Sequence, residues 1–544
     1  MRVAEVVGRV LYGHGARYVF GVVGSGNFHV TNALVAAGAR FVAAAHEGGA
    51  ASMADGYART SGSVGLLSVH QGPGVTNALT GLTEAAKSRT PMVVLAPEAT
   101  APRSNFFIDL PALAAAVGAE FRRVRATHAA EDAGAAYRAA ARGATVVLGL
   151  PLDVQGAVTE PWSGPMPGVV PTSAAEPQVE PLLAALRAAR RPVFIAGRGA
   201  RSAREPLTRL ADGCGALLAV SAAAKGLFAG NPWYLDVAGG FATPLAAELI
   251  GTADLVVAWG STLNMWTTRH GELIPQTAVV VQVDHDPAAL GVNRPVDVTV
   301  AGEVAAVAEA VLGRLEAGTT GTVDAGGWRT PELAQRIRDH GRWRTVPYRD
   351  EGGPATIDPR TLSAALDDLL PAERTVVVDS GNFMGYPSMW LDVPDVAGFC
   401  FTQAFQSVGL GLASALGAAV ARPDRLTVAA VGDGGFVMSA TELVTAVRLA
   451  LPLLVVIYDD SAYGAEVHHF GPDGHPLETV TFPETDLAAI ARGYGCDGLT
   501  VRTVDDLRPV RQWLAGSRAR PLVVDAKVSS ARGSWWLEEA FRGH

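Results

Sequence analysis

The stretch from Leu426 to Tyr463, LTVAAVGDGGFVMSATELVTAVRLALPLLVVIYDDSAY, constrains the fold more than any other. Two apolar runs, Leu426 to Val431 and Leu453 to Tyr458, flank a segment with helical spacing at Leu443, Val444, Val447 and Leu451, the pattern of a βαβ unit. Ser439 followed by Glu442 has capping-box spacing, so the helix is expected to begin there. That leaves Gly432-Asp433-Gly434-Gly435 as a tight loop at the first strand's carboxyl end, while the second strand ends at Asp459 and Asp460. A right-handed crossover sets both strand ends on one edge of a parallel sheet, where α/β proteins bind ligands.

Carboxylate oxygens beside glycines that expose backbone N–H groups describe a Mg²⁺ site in which the metal shares a diphosphate with the protein. On these residues alone the alternative stays open that Gly and Asp merely terminate strands. No GxxxxGK[ST] occurs and no GxGxxG is completed here, which removes the best signatures of ATP and NAD.

A chain of 544 residues holds about three domains. Its net charge of −9, with no basic run and no zinc spacing, gives no reason to expect nucleic acid. Cys214, Cys400 and Cys496 lie far apart and read as buried small hydrophobes. The N-terminus, MRVAEVVGRVLYGHG, lacks a signal-peptide pattern, and no apolar run reaches the roughly 18 residues of a membrane span, so a cytoplasmic enzyme without a membrane partner is expected.

Strand signals at residues 18–23, 41–45, 64–69, 92–95 and 146–148 each feed a turn, as in a doubly wound parallel sheet. A Pro-, Ser- and Gly-rich linker follows over 156–181. A second block has strands at 192–197, 216–221, 253–260 and 278–284, then a linker, EAGTTGTVDAGG, and a charged helix around 331–343. The third carries strands at 375–379, 426–431, 453–458 and 521–526. The C-terminal SWWLEEAF is read as packing against a domain or subunit, with covering of the active site as the alternative. The expected fold class is therefore α/β, with three doubly wound parallel-sheet domains at 1–160, 182–315 and 355–530.

Glu47, in AAAHEGGAASMADGYART, stands amid small apolar residues, where poor solvation would raise its pKa and suit it to share a proton with a bound heterocycle. A helix-start acid is the plainer reading of that fragment. His70-Gln71-Gly72-Pro73-Gly74, followed by Val75-Thr76-Asn77, places an imidazole in a Gly-rich turn.

Together these stretches resemble the thiamine diphosphate (ThDP) enzymes of the acetolactate synthase-like group, related to benzoylformate and pyruvate decarboxylases. Twenty-four residues separate Gly434 from Asp459, the spacing of the family's GDG-to-Asn-Asn motif, with Asp459-Asp460 in place of Asn-Asn. HEGGAASMADGYAR resembles the family's HE...A..ADGYAR segment. The resemblance assigns Glu47 to the cofactor's aminopyrimidine ring and Gly72 and Asn77 to the loop beside it. Gly381 and Asn382, after Asp379-Ser380, are similar to the loop that helps hold the diphosphate, together with Gly432, Asp433, Gly434, Gly435 and Tyr463. Val408, in FQSVGLG, takes the position of the residue that props the cofactor in its bent form. Asp433 and Asp460 by side chain and Ala462 by backbone carbonyl are the implied Mg²⁺ ligands. Glu466 lies where pyruvate-decarboxylase-like members keep a Glu facing the reacting carbon; His70 sits near a histidine of benzoylformate decarboxylases, with Gln71 beside it as a further catalytic candidate. His468 and His469 read as exposed loop histidines. Where flavin-containing members have a GMHG-type segment this chain reads LDVAGGFATP, which argues against FAD.

The resemblance implies pyrimidine-binding, central and diphosphate-binding domains, and a homodimer or homotetramer with sites shared between chains. It implies decarboxylation of a 2-oxo acid and transfer of the resulting enamine to a carbonyl acceptor. A non-ligating decarboxylase, or a non-catalytic regulatory subunit of this fold, is the alternative.

Overall fold

Three six-stranded sheets, parallel throughout, organise the chain in a computed structural model that describes residues 1–160, 162, 177–317 and 328–541. The first contains β1 (Tyr18–Gly21), β2 (Arg40–Ala43), β3 (Gly65–Ser68), β4 (Met92–Glu98), β5 (Glu120–Arg123) and β6 (Thr145–Pro151), in the order β2-β1-β3-β4-β6-β5. The second contains β7 (Pro192–Ala196), β8 (Leu217–Val220), β9 (Tyr234–Val237), β10 (Leu255–Trp259), β11 (Val279–Asp284) and β12 (Val298–Ala301), ordered β12-β11-β10-β7-β8-β9. The third contains β13 (Arg374–Val378), β14 (Phe399–Phe401), β15 (Leu426–Gly432), β16 (Leu453–Asp459), β17 (Asp497–Val501) and β18 (Leu522–Lys527), ordered β14-β13-β15-β16-β18-β17. The expected α/β class with three doubly wound sheets is what the chain adopts. Central strands such as β10, β15 and β16 are near-continuous apolar runs because helices cover both faces of a parallel sheet.

Five strands escape the apolar-run reading: β5, β9, β12, β14 and β17. All five lie at sheet edges. β5, EFRR, is exposed at both ends and β12 has one buried residue, so neither carries the hydrophobic signal of an interior strand. The linker expected from Gly156 begins as ordered chain: Val3 N–H donates to Ala157 O at 3.0 Å and Thr159 N–H to Met1 O at 2.9 Å. Most of that linker, and residues 318–327 of the second, lie outside the described residues.

Backbone contact without intervening side chains joins the first and third units. On the helix Glu47–Ser61 a Cβ at Gly56 would sit 2.2 Å from Ser414 O, and on the helix Gly411–Ala421 one at Gly417 would sit 1.9 Å from Met53 O. A buried ion network reinforces the contact. Arg59 pairs with Asp55 at 2.9 Å and Glu84 at 2.7 Å. Glu84 in turn accepts from Phe405 N–H at 2.6 Å and Ala404 N–H at 3.2 Å, which fixes the chain just before Val408.

The C-terminal helix Trp535–Phe541 packs as expected. Trp536 is fully buried against Tyr386 and Phe241, and burying an indole contributes on the order of 4 kcal/mol. Among the described residues no helix is long and apolar enough to cross a membrane.

Candidate active site

The βαβ unit forms as its pattern predicts, with β15 and β16 adjacent and parallel and Gly432 opposite Tyr458. Two helices stand between them, joined by a short turn at Ala440–Glu442: Leu443–Arg448 carries the expected positions Leu443, Val444 and Val447, and an additional helix precedes it. That additional helix opens at Asp433, so Asp433-Gly434-Gly435 is its first turn and Ser439 its last residue. Ser439 does not cap: its hydroxyl donates back to Gly435 O at 2.8 Å, and Glu442 is turned toward Ala45 and His46. The Ser-to-Glu spacing matches a capping box, but Ser439 closes one helix and Glu442 ends the turn that leads into the next.

Asp433 is buried and Asp460 half-buried at this edge. Loss of water raises Asp433 to about 8, with the charges of Asp460 and Asp459 adding to the rise. Desolvation raises Asp460 to about 7, against a hydrogen bond from Asn382 that favours the charged form. Two carboxylates in this state make a site short of positive charge, at which a bound cation would favour the ionised form of both. Among the described residues no three carboxylate, imidazole or thiolate side chains converge. A cation here therefore takes its remaining ligands from backbone oxygen, water or a bound diphosphate, as Mg²⁺ commonly does.

Asp459 adds its charge to the rise at Asp433 and Asp460 but is itself paired away from the cavity. It turns to the next strand, where Lys527 Nζ donates to it at 2.5 Å. The same ammonium lies 3.1 Å from Asp525 and donates to Thr485 O at 2.8 Å. Register explains the pairing, because Asp459 and Lys527 are Cα partners across β16 and β18.

A cavity of about 270 Å³ opens above these strand ends. Gly381, Asn382, Val408, Gly432, Asp433, Gly434, Gly435, Asp460, Ala462, Tyr463 and Glu466 all line it. Glu466 is half-buried, in the first turn of the helix Gly464–Phe470. His468 and His469 are on that helix and half-buried rather than exposed on a loop, and burial lowers the pKa of His468. Asp379 sits beneath the wall, fully buried, and accepts from Ser380 N–H at 2.9 Å, Gly409 N–H at 2.9 Å and Leu410 N–H at 3.2 Å. Those bonds hold Val408 between two fixed loops; desolvation nevertheless raises Asp379 to about 6. Trp266, Gln403, Gln406 and Leu537 also line the cavity. Gln403 Nε2 and Asn382 Oδ1 are buried there without a partner in the chain, polar atoms a ligand can satisfy.

Glu47, His70, Gln71, Gly72 and Asn77 form a second cluster, and none of them lines that cavity. Glu47 opens its helix behind His46, whose Nδ1 accepts from Gly48 N–H at 3.0 Å. Asn77 Nδ2 donates to Glu47 Oε2 at 3.0 Å. A Cβ on Gly74 would lie 3.1 Å from His70 Cβ and 3.4 Å from Glu47 Oε1, so these side chains share one opening. His70 Nδ1 accepts from Gly26 N–H at 3.3 Å, and its ring meets Phe106 edge-on at 5.4 Å. Gln71 is buried with Oε1 unpartnered, over Gly26, where a Cβ would come within 1.5 Å. Gly72 has φ of +65°, which a side chain would strain. The enclosure expected around Glu47 is incomplete among the described residues: Glu47 is half-buried, with Asn77 and Gly74 of the 70–77 loop beside it.

Sequence reasoning missed Lys527 and the role of Asp379. Asp525 and Lys527, two charges at alternate positions of an otherwise apolar strand, were the available signal for the first.

The chain matches three family models in order: thiamine pyrophosphate enzyme, N-terminal TPP binding domain, over residues 1–113; central domain, over residues 179–311; and C-terminal TPP binding domain, over residues 379–526. A probable 2-ketoarginine decarboxylase of Pseudomonas aeruginosa is 30% identical, over 92% of this chain and 89% of that protein. A sulfoacetaldehyde acetyltransferase of Alcaligenes xylosoxydans xylosoxydans is 28% identical, over 92% and 88%. Acetolactate synthase isozyme 2 large subunit of Escherichia coli is 27% identical, over 99% and 97%. The fold is shared with the thiamine diphosphate-dependent 4-hydroxybenzoylformate decarboxylase of Rhodococcus jostii RHA1, at a TM-score of 0.79 and 21% identity, over 97% of this chain and 99% of that one.

Proposed function

The chain belongs to the thiamine pyrophosphate enzyme family and is a thiamine diphosphate-dependent enzyme, and from that premise we propose that it decarboxylates a 2-oxo acid and joins the remaining acyl unit to a second carbonyl compound. The observation that carries this reading is the convergence of the diphosphate-side residues on one cavity around the carboxylate pair Asp433 and Asp460. Similarity to an acetyltransferase and an acetolactate synthase supports the ligating outcome.

Asp433, Asp460 and the Ala462 carbonyl would hold Mg²⁺; Gly381, Asn382, Gly434 and Gly435 would receive the diphosphate, and Val408 would pack against the cofactor. Bound ThDP supplies an electron sink for the bond to CO2. Asn77 occupies Glu47 Oε2, which leaves Oε1 to share a proton with the aminopyrimidine. The Gly26 N–H bond to Nδ1 assigns the neutral His70 ring its proton on Nε2, a donor for a substrate oxygen. Glu466 and Gln71 complete the polar groups offered to substrate. Because Glu47 and Asp433 belong to clusters that do not share a cavity, a full site takes one cluster from each of two chains. A homodimer is the smallest such assembly and a homotetramer the next. Exposed Val437 and Met438 beside Asp433, and Phe106 and Phe107 beside His70, support burial of both clusters in that interface.

We assign no role to FAD. The segment 239–241 packs on tryptophans: Trp535 Nε1 donates to Gly240 O at 3.1 Å and Trp343 Nε1 to Phe241 O at 2.7 Å. The reading without ligation, in which a protonated product leaves as an aldehyde, is favoured by one feature, the placement of Glu466 in the same cavity as the metal pair. Incubation with ThDP, Mg²⁺ and a panel of 2-oxo acids, with and without acceptor aldehydes, followed by mass spectrometry, separates the two. Carbon–carbon-linked product is expected; aldehyde alone would establish the second reading, and no CO2 release would reject both.

A further inference from the structure

Glu442 is almost fully buried, yet it contributes nothing to the cavity. It lies nine residues beyond Asp433, after the helix Asp433–Ser439 and one further turn. Its carboxylate is spent on the other half of the chain. Oε1 accepts from His46 N–H at 3.0 Å, and Oε2 accepts from Ala45 N–H at 3.1 Å and from the Thr445 hydroxyl at 3.0 Å. Arg448 donates to Ala43 O in the same turn. The gripped residues are those that lead from β2 into Glu47.

The approach depends on a residue lacking a side chain. A Cβ on Gly49 would stand 2.1 Å from Glu442 Oε1. The backbone at Gly49 is in an ordinary helical conformation, so its glycine answers to space rather than to dihedral freedom.

We propose that Glu442 is a positioning residue for Glu47. By holding two consecutive backbone N–H groups immediately before it, Glu442 sets the turn that aims the Glu47 carboxyl, and it ties that turn to the helix that begins at Asp433. A neutral side chain of the same shape keeps an acceptor for these N–H groups, whereas a truncated one leaves both without their side-chain acceptor. The proposal rests on the reading of Glu47 as the group that meets the aminopyrimidine.

The test compares Glu442→Ala, Glu442→Gln, Gly49→Ala and Glu47→Ala with wild type. Amide hydrogen exchange on the apo protein reads the turn directly, and Glu442→Ala is expected to lose protection at Ala45 and His46. With ThDP and saturating Mg²⁺, hydrogen exchange at the cofactor's C2 carbon is expected to slow at least tenfold in Glu442→Ala, with cofactor affinity within about threefold of wild type. Glu442→Gln is expected to restore the rate. Gly49→Ala, which pushes the carboxylate away from the opposite side, is expected to reproduce the loss and replaces Glu442→Ala should that variant fail to fold. A wild-type C2 rate in Glu442→Ala or Gly49→Ala, with Glu47→Ala slow, overturns the proposal alone. Wild-type rates in Glu47→Ala as well overturn the reading of Glu47 beneath it.

Discussion

The two clusters of site residues differ in how much of their surroundings one chain provides. The diphosphate side is walled by β15, β16 and the loops at Gly381 and Val408, with its acids buried deeply enough that desolvation dominates their protonation. The pyrimidine side holds Glu47 half-buried over an opening bordered by His70 and Gly74, with exposed phenylalanines nearby. On the proposed shared site, the diphosphate side takes most of its walls from its own chain, while the pyrimidine side leaves Glu47 open until a second chain meets it. Substitutions on the open side are therefore expected to act on chemistry, and those on the enclosed side to act on stability as well.

The largest contrast is expected at Glu47. Glu47→Gln should lower turnover by about 10²–10⁴-fold, the range of a lost acid–base group, while the unfolding midpoint stays close to wild type. Loss of stability on the same scale as the enclosed-side variants would break the comparison. On the enclosed side, Lys527→Met strands Asp459 and Asp525 and should cost about 3–5 kcal/mol in urea unfolding, whereas Asp459→Asn with Lys527→Met should recover most of it.

Asp379 sharpens the point through pH. Its folded pKa of about 6 lies above the unfolded value, so between roughly pH 4 and 6 the folded chain binds more protons than the unfolded one. Stability from this group consequently falls as pH rises through that window and is flat above it, a change on the order of 3 kcal/mol. Denaturation at several pH values should give a slope in wild type that is reduced by this amount in Asp379→Asn. The smallest effect is expected at Met438: Met438→Ser leaves the unfolding of a single chain within about 0.5 kcal/mol but weakens chain association in sedimentation.

Sequence reading found the interior strands and, of the six edges, only β2; for β5 and β12 the reason is exposure. An interior strand of a parallel sheet is apolar on both faces, while β5 and β12 keep exposed faces and so resemble loops. Of the cavity residues, Gly432, Asp433, Gly434, Gly435 and Asp460 were legible because glycines and acids at strand ends mark where a parallel sheet binds ligands, whereas Gly381, Asn382, Val408, Ala462, Tyr463 and Glu466 came only from the family resemblance. The pairing of Asp459 was not legible because its partner Lys527 is distant in sequence and becomes a neighbour only through the adjacency of β16 and β18. Glu442 was assigned to a local cap for a similar reason: spacing in sequence showed its nearest backbone, and the fold sent it to Ala45 and His46 instead.

A site divided between two chains makes a demand that no site within one chain makes. Glu47→Ala and Asp433→Asn, each inactive alone, are to be mixed, unfolded and refolded together so that chains exchange. Random pairing places both intact clusters at half the sites of half the dimers, so the mixture should regain about a quarter of wild-type activity. A mixture as inactive as its two components would contradict the shared site.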